Sequence, residues 1–231
     1  MSKPRRVAIF DIDGTIFRSS LLIEITEALI DEGIFSPKTR DVYMKPYKNW
    51  SNRRDTYEKY IDSVVVAFMR NIKDVDYKAF VRVAKKVINA KKDRVYRYTR
   101  DLVHDLKKRG FFLLAISQSP KELVQDFGYK MGFDKVYGRD YEVGKNNKFT
   151  GEILSLELIE NKSNILKRAV ERNNLTLKGS YGVGDSEGDI TFLKMVDNPI
   201  CFNPNNKLYQ QAKKHGWAVV VERKDVVYHV K

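Results

Sequence analysis

Two carboxylates stand one residue apart where an apolar run ends, with a glycine directly behind them: Val7-Ala8-Ile9-Phe10-Asp11-Ile12-Asp13-Gly14-Thr15. The apolar run reads as a buried strand, and side chains two apart on a strand share a face. Asp11 and Asp13 therefore converge only if the chain leaves regular geometry near Gly14. Converging acids repel, and the repulsion is relieved by a bound cation or by a raised pKa. The pattern predicts a metal site at the carboxyl end of a buried strand, with one acid attacking and the other handling a proton. A strand end capped by an Asp turn is the plainer alternative, and the apolar run before the acids and Gly-Thr after them weigh against it.

The rest of the chain supplies the layers that such a strand needs. With 231 residues and 42% apolar content it is long enough for one large domain or a core with an insert. After Thr15 the pattern turns helical: Leu21, Leu22, Ile25, Leu29 and Ile30 recur at helical spacing before Gly33. Pro37 and Pro46 bracket an expected connection, and further helices are expected from about Asn52 to Met69 and Tyr77 to Ala90. Strand character returns at Phe111–Ile116, behind a helix stopped by Gly110. Buried runs follow at Lys135-Val136-Tyr137, Ser180–Val183, Pro199–Phe202 and Trp217–Val221, with helical segments between several of them. This alternation predicts an α/β fold with a doubly wound parallel sheet. Ligands of such sheets sit beyond the carboxyl ends of the strands, where Asp11 lies. The expected division is a core of residues 1–16 and 93–231, with a helical cap of residues 17–92 inserted between its parts. The stretch from Tyr141 to Ile153, with Gly144, Asn146-Asn147 and Gly151, reads as a hairpin.

Two further strand ends carry polar groups. Ser117 closes the second strand, and Gln118-Ser119-Pro120 then opens a helix, so a hydroxyl and backbone N–H groups can meet a phosphate there. Gly182-Val183-Gly184-Asp185-Ser186-Glu187-Gly188-Asp189 sets two more acids after an apolar strand, and Asp185 can complete an oxygen shell around magnesium. Each alone has a plain reading as a helix cap or an acidic turn, and Lys162 alone reads as a solvent-facing lysine.

Acid pair, hydroxyl, lysine and second acid pair, in this chain order, resemble the haloacid dehalogenase superfamily over essentially the whole chain. The helical insert, Lys148-Phe149-Thr150-Gly151-Glu152-Ile153 and the run from Asn203 to Leu208 are similar to its subfamily IB, which includes the phosphoserine phosphatases. The resemblance implies a magnesium-dependent phosphatase in which Asp11 attacks phosphorus to give an aspartyl-phosphate. Asp13 would protonate the leaving oxygen and then activate water. It also implies that Asp11, the backbone carbonyl of Asp13 and Asp185 bind Mg2+, with Asp189 supporting that shell or Lys162. Ser117, Lys162 and the N–H groups near Ile12 and Gln118 would hold the phosphoryl oxygens.

The likeness thins in the part that reads the leaving group. Phosphoserine phosphatases carry a glutamate about nine residues past the nucleophile, where this chain has Ser20, and glycines after the motif serine, where it has Gln118-Ser119. Both departures argue against phosphoserine. Arg18, Arg53, Arg54, Tyr57 and Tyr60 are the cap residues expected to contact a small phosphorylated substrate instead. The net charge of +13 attracts anions without choosing among a phosphorylated metabolite, a nucleic acid and an anionic surface. A nucleic-acid end phosphatase or binding module is the second reading, from the Lys/Arg-Tyr interleaving between Lys91 and Tyr98, where tyrosines can stack on bases. A regulatory protein that keeps the fold without catalysis is the third, and the intact acid set argues against it. Cys201 is the only cysteine, no apolar stretch approaches the roughly 20 residues that span a bilayer, and Met1–Arg6 leaves no room for a signal segment. These features predict a cytoplasmic protein without disulfides.

Overall fold

The computed structural model describes residues 3–230; Met1, Ser2 and Lys231, at the outer limits of the expected core segments, lie outside the described residues. Strand β1 (Arg5–Asp11) is apolar at successive positions because both its faces are covered. Ala8 and Phe10 enter one buried cluster, Val7 and Ile9 the other. The remaining strands are β2 (Phe112–Pro120), β3 (Lys135–Val143), β4 (Phe149–Leu154), β5 (Leu175–Gly184), β6 (Asn198–Phe202), β7 (Ala218–Arg223) and β8 (Val226–Val230). They form one sheet in the order β4-β3-β2-β1-β5-β6-β7-β8. The six inner strands are parallel, and β4 and β8 add antiparallel edges. The expected parallel sheet is thus present, with hairpins closing it on both sides.

Register places the site. Asp11 pairs with Ile116 on β2, and Phe10 with Val183 on β5, so the carboxyl ends of three neighbouring strands come level. The chain leaves β1 for β2 and β3 on one side and returns to β5 on the other. The strand order therefore reverses beside Asp11, which opens a crevice there.

Between β1 and β2 lie α1 (Leu21–Asp31), a 3-10 turn (Pro37–Arg40), α2 (Asp41–Ser51), α3 (Tyr57–Ile72), α4 (Tyr77–Lys91) and α5 (Arg97–Lys108). Ser20, Thr56 and Asp76 cap α1, α3 and α4 by accepting backbone N–H groups of the first turn. Leu21, Leu22, Ile25, Leu29 and Ile30 of α1 are buried with Val64, Phe68 and Ile72 of α3 and Phe80, Val83 and Val87 of α4. Phe68 joins this helical layer to the sheet, its ring 6.3 Å from Phe80 and 5.3 Å from Tyr141. The rest are α6 (Lys121–Lys130), α7 (Leu156–Glu160), α8 (Lys162–Arg172), α9 (Ile190–Leu193) and α10 (Asn206–His215), of which α8 and α10 cover the second face with Ile165, Leu166, Leu208 and Ala212.

Two local expectations are corrected. Pro46 lies inside α2 and does not mark a connection; its ring suits helical φ, and the helix forgoes only the bond that an N–H there would give Val42. The helix expected from Asn52 begins at Tyr57, because Arg53 takes a left-handed φ of 58° that ends α2. The tyrosines between Lys91 and Tyr98 are not offered to bases: Tyr96 and Tyr98 pack on Phe202 at 4.9 and 5.8 Å. Lys91 and Arg94 pair with Glu24 at 3.5 and 2.8 Å. Among the described residues, no helix is long and apolar enough to cross a membrane.

Candidate active site

Past Asp11 the chain turns so tightly that Ile12 O accepts the N–H groups of Thr15, Ile16 and Phe17. Gly14 permits this with φ 79°, and a Cβ there would strike the Asp185 carboxylate. The turn is therefore shaped around Asp185, which arrives from the end of β5.

Lys162, the first residue of α8, reaches into the crevice and is 4% exposed, as is Asp11. Its Nζ donates to Asp11 Oδ1 and to Asp189 Oδ1, both at 2.6 Å. Asp189 Oδ2 accepts from the backbone N–H groups of Asp185 and Ser186 at 3.0 and 3.1 Å. Both oxygens of Asp189 are thus engaged, and this carboxylate braces Lys162 and the loop that carries Asp185. Asp11 Oδ2 is buried without a hydrogen-bond partner. Carboxylate oxygens of Asp11, Asp185 and Asp189 lie within 4.8 Å of one another.

Asp13 points elsewhere. Its Oδ1 accepts the Leu21 N–H at the start of α1, and its Oδ2 accepts the Ser117 hydroxyl, both at 2.5 Å. Ser117 Oγ in turn accepts the Ser119 N–H at 2.9 Å. Ser20, at the position where a substrate-binding acid was sought, is buried and caps α1, and Ser119 Oγ shares the same Leu22 N–H at 3.0 Å.

Burial dominates the electrostatics. It pushes Asp11 up to about 7, against the pull of Lys162, and the neighbouring Asp189 and Asp13 add to the rise. Burial raises Asp13 too, partly offset by its bonds to Ser117 and Leu21. Asp185 stands well above the ordinary carboxylate value, through burial first and then Asp11 and Asp189. Burial alone would lower Lys162, but Asp11 and Asp189 together hold it above its ordinary value, so it stays charged. A crowded acid cluster with one committed ammonium leaves negative charge that a further cation would neutralise.

A family model described as haloacid dehalogenase-like hydrolase matches residues 8–194. The chain belongs to this family. The hydrolase is 22% identical over 228 residues to the "Inhibition of morphological differentiation protein" of Streptomyces azureus, covering 95% of this chain and 79% of that one. It is also 22% identical over 224 residues to a histidinol-phosphatase of Neisseria meningitidis, covering 94% and 98% of the two chains. Among solved structures, a phospho-aspartyl intermediate analogue of phosphoserine phosphatase superposes with a TM-score of 0.63 at 22% identity, over 96% of each chain. The hydrolase thus has the fold of the phosphoserine phosphatase-like branch.

Of the residues singled out in the sequence of the hydrolase, Asp11, Asp185, Asp189 and Lys162 form one cluster, and Ser117 and Asp13 bond to each other beside it. Ile12 directly follows Asp11 past the end of β1, whereas Ser117 and Gln118 lie inside β2, so the helix expected to open at Gln118 begins only at Lys121. Arg18 is exposed, its guanidinium 5.6 Å from the Tyr96 ring, and Arg53 and Arg54 are exposed in the turn between α2 and α3. Tyr60, on α3, is buried, whereas Tyr57 is 37% exposed. Sequence reasoning missed Ser119, Asn205 and Lys207. Asn205 N donates to Asp185 O at 2.8 Å and its side chain donates to Glu187, so the start of α10 supports the acidic loop. The one available signal was the run from Asn203 to Leu208, noted as a likeness without a job.

Proposed function

We propose that this protein is a magnesium-dependent phosphomonoesterase that forms an aspartyl-phosphate on Asp11 and acts on a small phosphorylated metabolite. Its enzyme class is that of the phosphoric monoester hydrolases. The observation that carries the reading is the buried Lys162 ammonium shared by Asp11 and Asp189 beside the unpartnered Asp11 Oδ2.

Magnesium fits these residues. It prefers hard oxygen ligands, and the cluster offers Asp11 Oδ2 without a partner and Asp185, while Asp189 is already engaged; the resemblance adds the Asp13 carbonyl. Bound there, it would neutralise the acids that otherwise repel an anionic phosphate.

The chain's own groups supply the rest. Lys162 fixes the Asp11 carboxylate for attack on phosphorus, and the bond from phosphorus to the ester oxygen breaks. Asp13, kept protonated more readily than an ordinary carboxylate, gives its proton to that oxygen. It then takes a proton from the water that hydrolyses the aspartyl-phosphate, returning both acids to their starting state. Ser117, whose hydroxyl donates to Asp13, would turn to a phosphoryl oxygen once substrate binds. The lone Cys201, buried and unpaired, suits a reducing cytoplasm.

The names of the relatives put histidinol phosphate and phosphoserine at the head of a panel that also holds phosphorylated sugars, alcohols, nucleotides and end-phosphorylated oligonucleotides. Magnesium-stimulated phosphate release that Asp11→Asn abolishes is the expected result. Folded wild type that releases no phosphate from any of them refutes the proposal.

A further inference from the structure

Arg139, on β3, is a buried cation without a carboxylate; only 9% of it is exposed. Among the described residues it makes no ion pair. Asp140 beside it is taken by Lys121 at 2.5 Å, and the nearby Glu122 keeps its buried Oε2 without a partner. Arg139 Nη2 donates to Gln118 Oε1 at 3.1 Å, and its Nε is buried with no hydrogen-bond partner. A buried guanidinium met by a neutral amide is short of negative charge, because the cost of desolvating it is offset well only by an anion.

Register brings this group to the acid cluster. Asp11 is level with Ile116, and Ile116 with Tyr137, so Arg139 stands two residues past that level, on the side where ligands of such a sheet bind. Gly138, just before it, lies so close to the start of α6 that a Cβ there would strike the Lys121 backbone and the Ser119 carbonyl. That close approach seats Arg139 against Gln118. Gln118 is exposed on β2, the strand next to that of Asp11, and directly follows Ser117, whose hydroxyl donates to Asp13. A buried positive charge and an exposed amide thus meet at the edge of the crevice, one residue from the serine expected to hold a phosphoryl oxygen.

We propose that Arg139 and Gln118 form a second anion subsite on the sheet, beside the phosphoryl site, and that it takes a carboxylate or a second phosphate carried by the phosphomonoester. The inference rests on the phosphatase reading above. A guanidinium offers either anion a planar fork of N–H donors. The Gln118 amide, which accepts from Arg139 in the free protein, turns to give the anion its place and adds its own N–H donors. A hydroxyl or an ammonium in that place leaves the guanidinium uncompensated. Both residues lie on strands, so the subsite keeps a fixed distance from Asp11.

The test uses two-carbon phosphomonoesters that differ only at the far carbon: 2-hydroxyethyl phosphate, phosphoethanolamine, phosphoglycolate and ethylene glycol bisphosphate. Wild type with Mg2+ is expected to favour the last two over the first two in kcat/KM. Phosphoglycolate in the lead marks a carboxylate, and the bisphosphate in the lead a second phosphate. Arg139→Gln is expected to lower the ratio of anionic to hydroxyl substrate about tenfold, and Arg139→Lys, which keeps the charge, to retain part of it. Gln118→Glu is read without turnover. It brings a carboxylate to the guanidinium at an exposed position, so in EDTA it is expected to unfold at higher urea than wild type, and the gain should vanish when Arg139→Gln is added. Equal ratios in wild type, a preference that survives Arg139→Gln, or a Gln118→Glu variant no more stable than wild type each overturns the proposal. Should Arg139→Gln not fold, a preference undiminished by Gln118→Glu overturns it instead. Magnesium-dependent turnover of p-nitrophenyl phosphate that Asp11→Asn abolishes checks the phosphatase reading separately. Turnover of that compound but of neither anionic one overturns the subsite alone, whereas wild type inert on all five overturns both.

Discussion

Asp11→Asn should stabilise the metal-free protein at neutral and alkaline pH while destroying its activity. Asp11 is almost fully buried and its pKa is pushed from 3.8 to about 7. Between those values the folded state keeps a proton that the unfolded chain has released. The folding free energy contributed by that proton is complete below the unfolded value, declines as pH rises and is gone above the folded value. From pH 5 to pH 8 this one group costs the wild type about 3 kcal/mol, at about 1.4 kcal/mol per pH unit over the part of the interval below 7. Asparagine has the same shape and never ionises, so its pH profile loses that slope. Urea unfolding in EDTA at pH 5, 6, 7 and 8 measures it. The difference in favour of Asp11→Asn should widen by about 3 kcal/mol between pH 5 and pH 8. Parallel profiles, or a variant less stable at pH 8, would refute the claim that burial outweighs the Lys162 ion pair. Saturating Mg2+ should remove most of the wild-type slope, since a cation in the cluster stabilises the ionised form.

Lys162→Met leaves Asp11 and Asp189 buried without their shared cation, and should cost about 3–5 kcal/mol at pH 8 with loss of phosphate release; denaturant titration and a phosphate assay read both. Gly14→Ala places a methyl group against the Asp185 carboxylate at a φ of 79°. It should lower stability by about 1–3 kcal/mol and weaken Mg2+ binding, as followed by calorimetry. Ser20→Ala removes a helix cap and nothing from the acid cluster. Its cost should sit near the lower end of about 0.5–2 kcal/mol, because Ser119 also accepts the Leu22 N–H, and kcat should change less than twofold.

The sequence announced its centre more clearly than its mouth. Val7–Asp13 and Gly182–Asp189 were legible because burial on both faces, a bend at glycine and clustered acids each leave a local signature in residue type. Lys162 was legible only through company, since nothing around it in the chain marks a lysine that will bridge two buried carboxylates. The reach of Lys207 to Glu58 joins residues far apart in the chain, and no local pattern encodes such a meeting. Ser119 looked like a helix-opening residue, and its tie to α1 depends on how β2 and α1 pack. Pro46 misled because proline more often marks a break than the interior of a helix. Asp189, expected to support the metal shell or Lys162, has one oxygen on Lys162 and the other on the Asp185 and Ser186 N–H groups, a division that only coordinates reveal.

The placement of β1 has a consequence for how this chain is made. It precedes every other strand of this sheet in the chain, yet Ala8 pairs with Leu113 on one side and with Tyr181 on the other. At typical synthesis rates its second neighbour emerges roughly ten seconds or more after it. Throughout that interval a strand whose last five residues end up buried has an open flank, and Asp11 waits without Lys162 or Asp185. Slower translation should therefore lengthen the exposure of this unpaired edge, and a holdase chaperone would shield it.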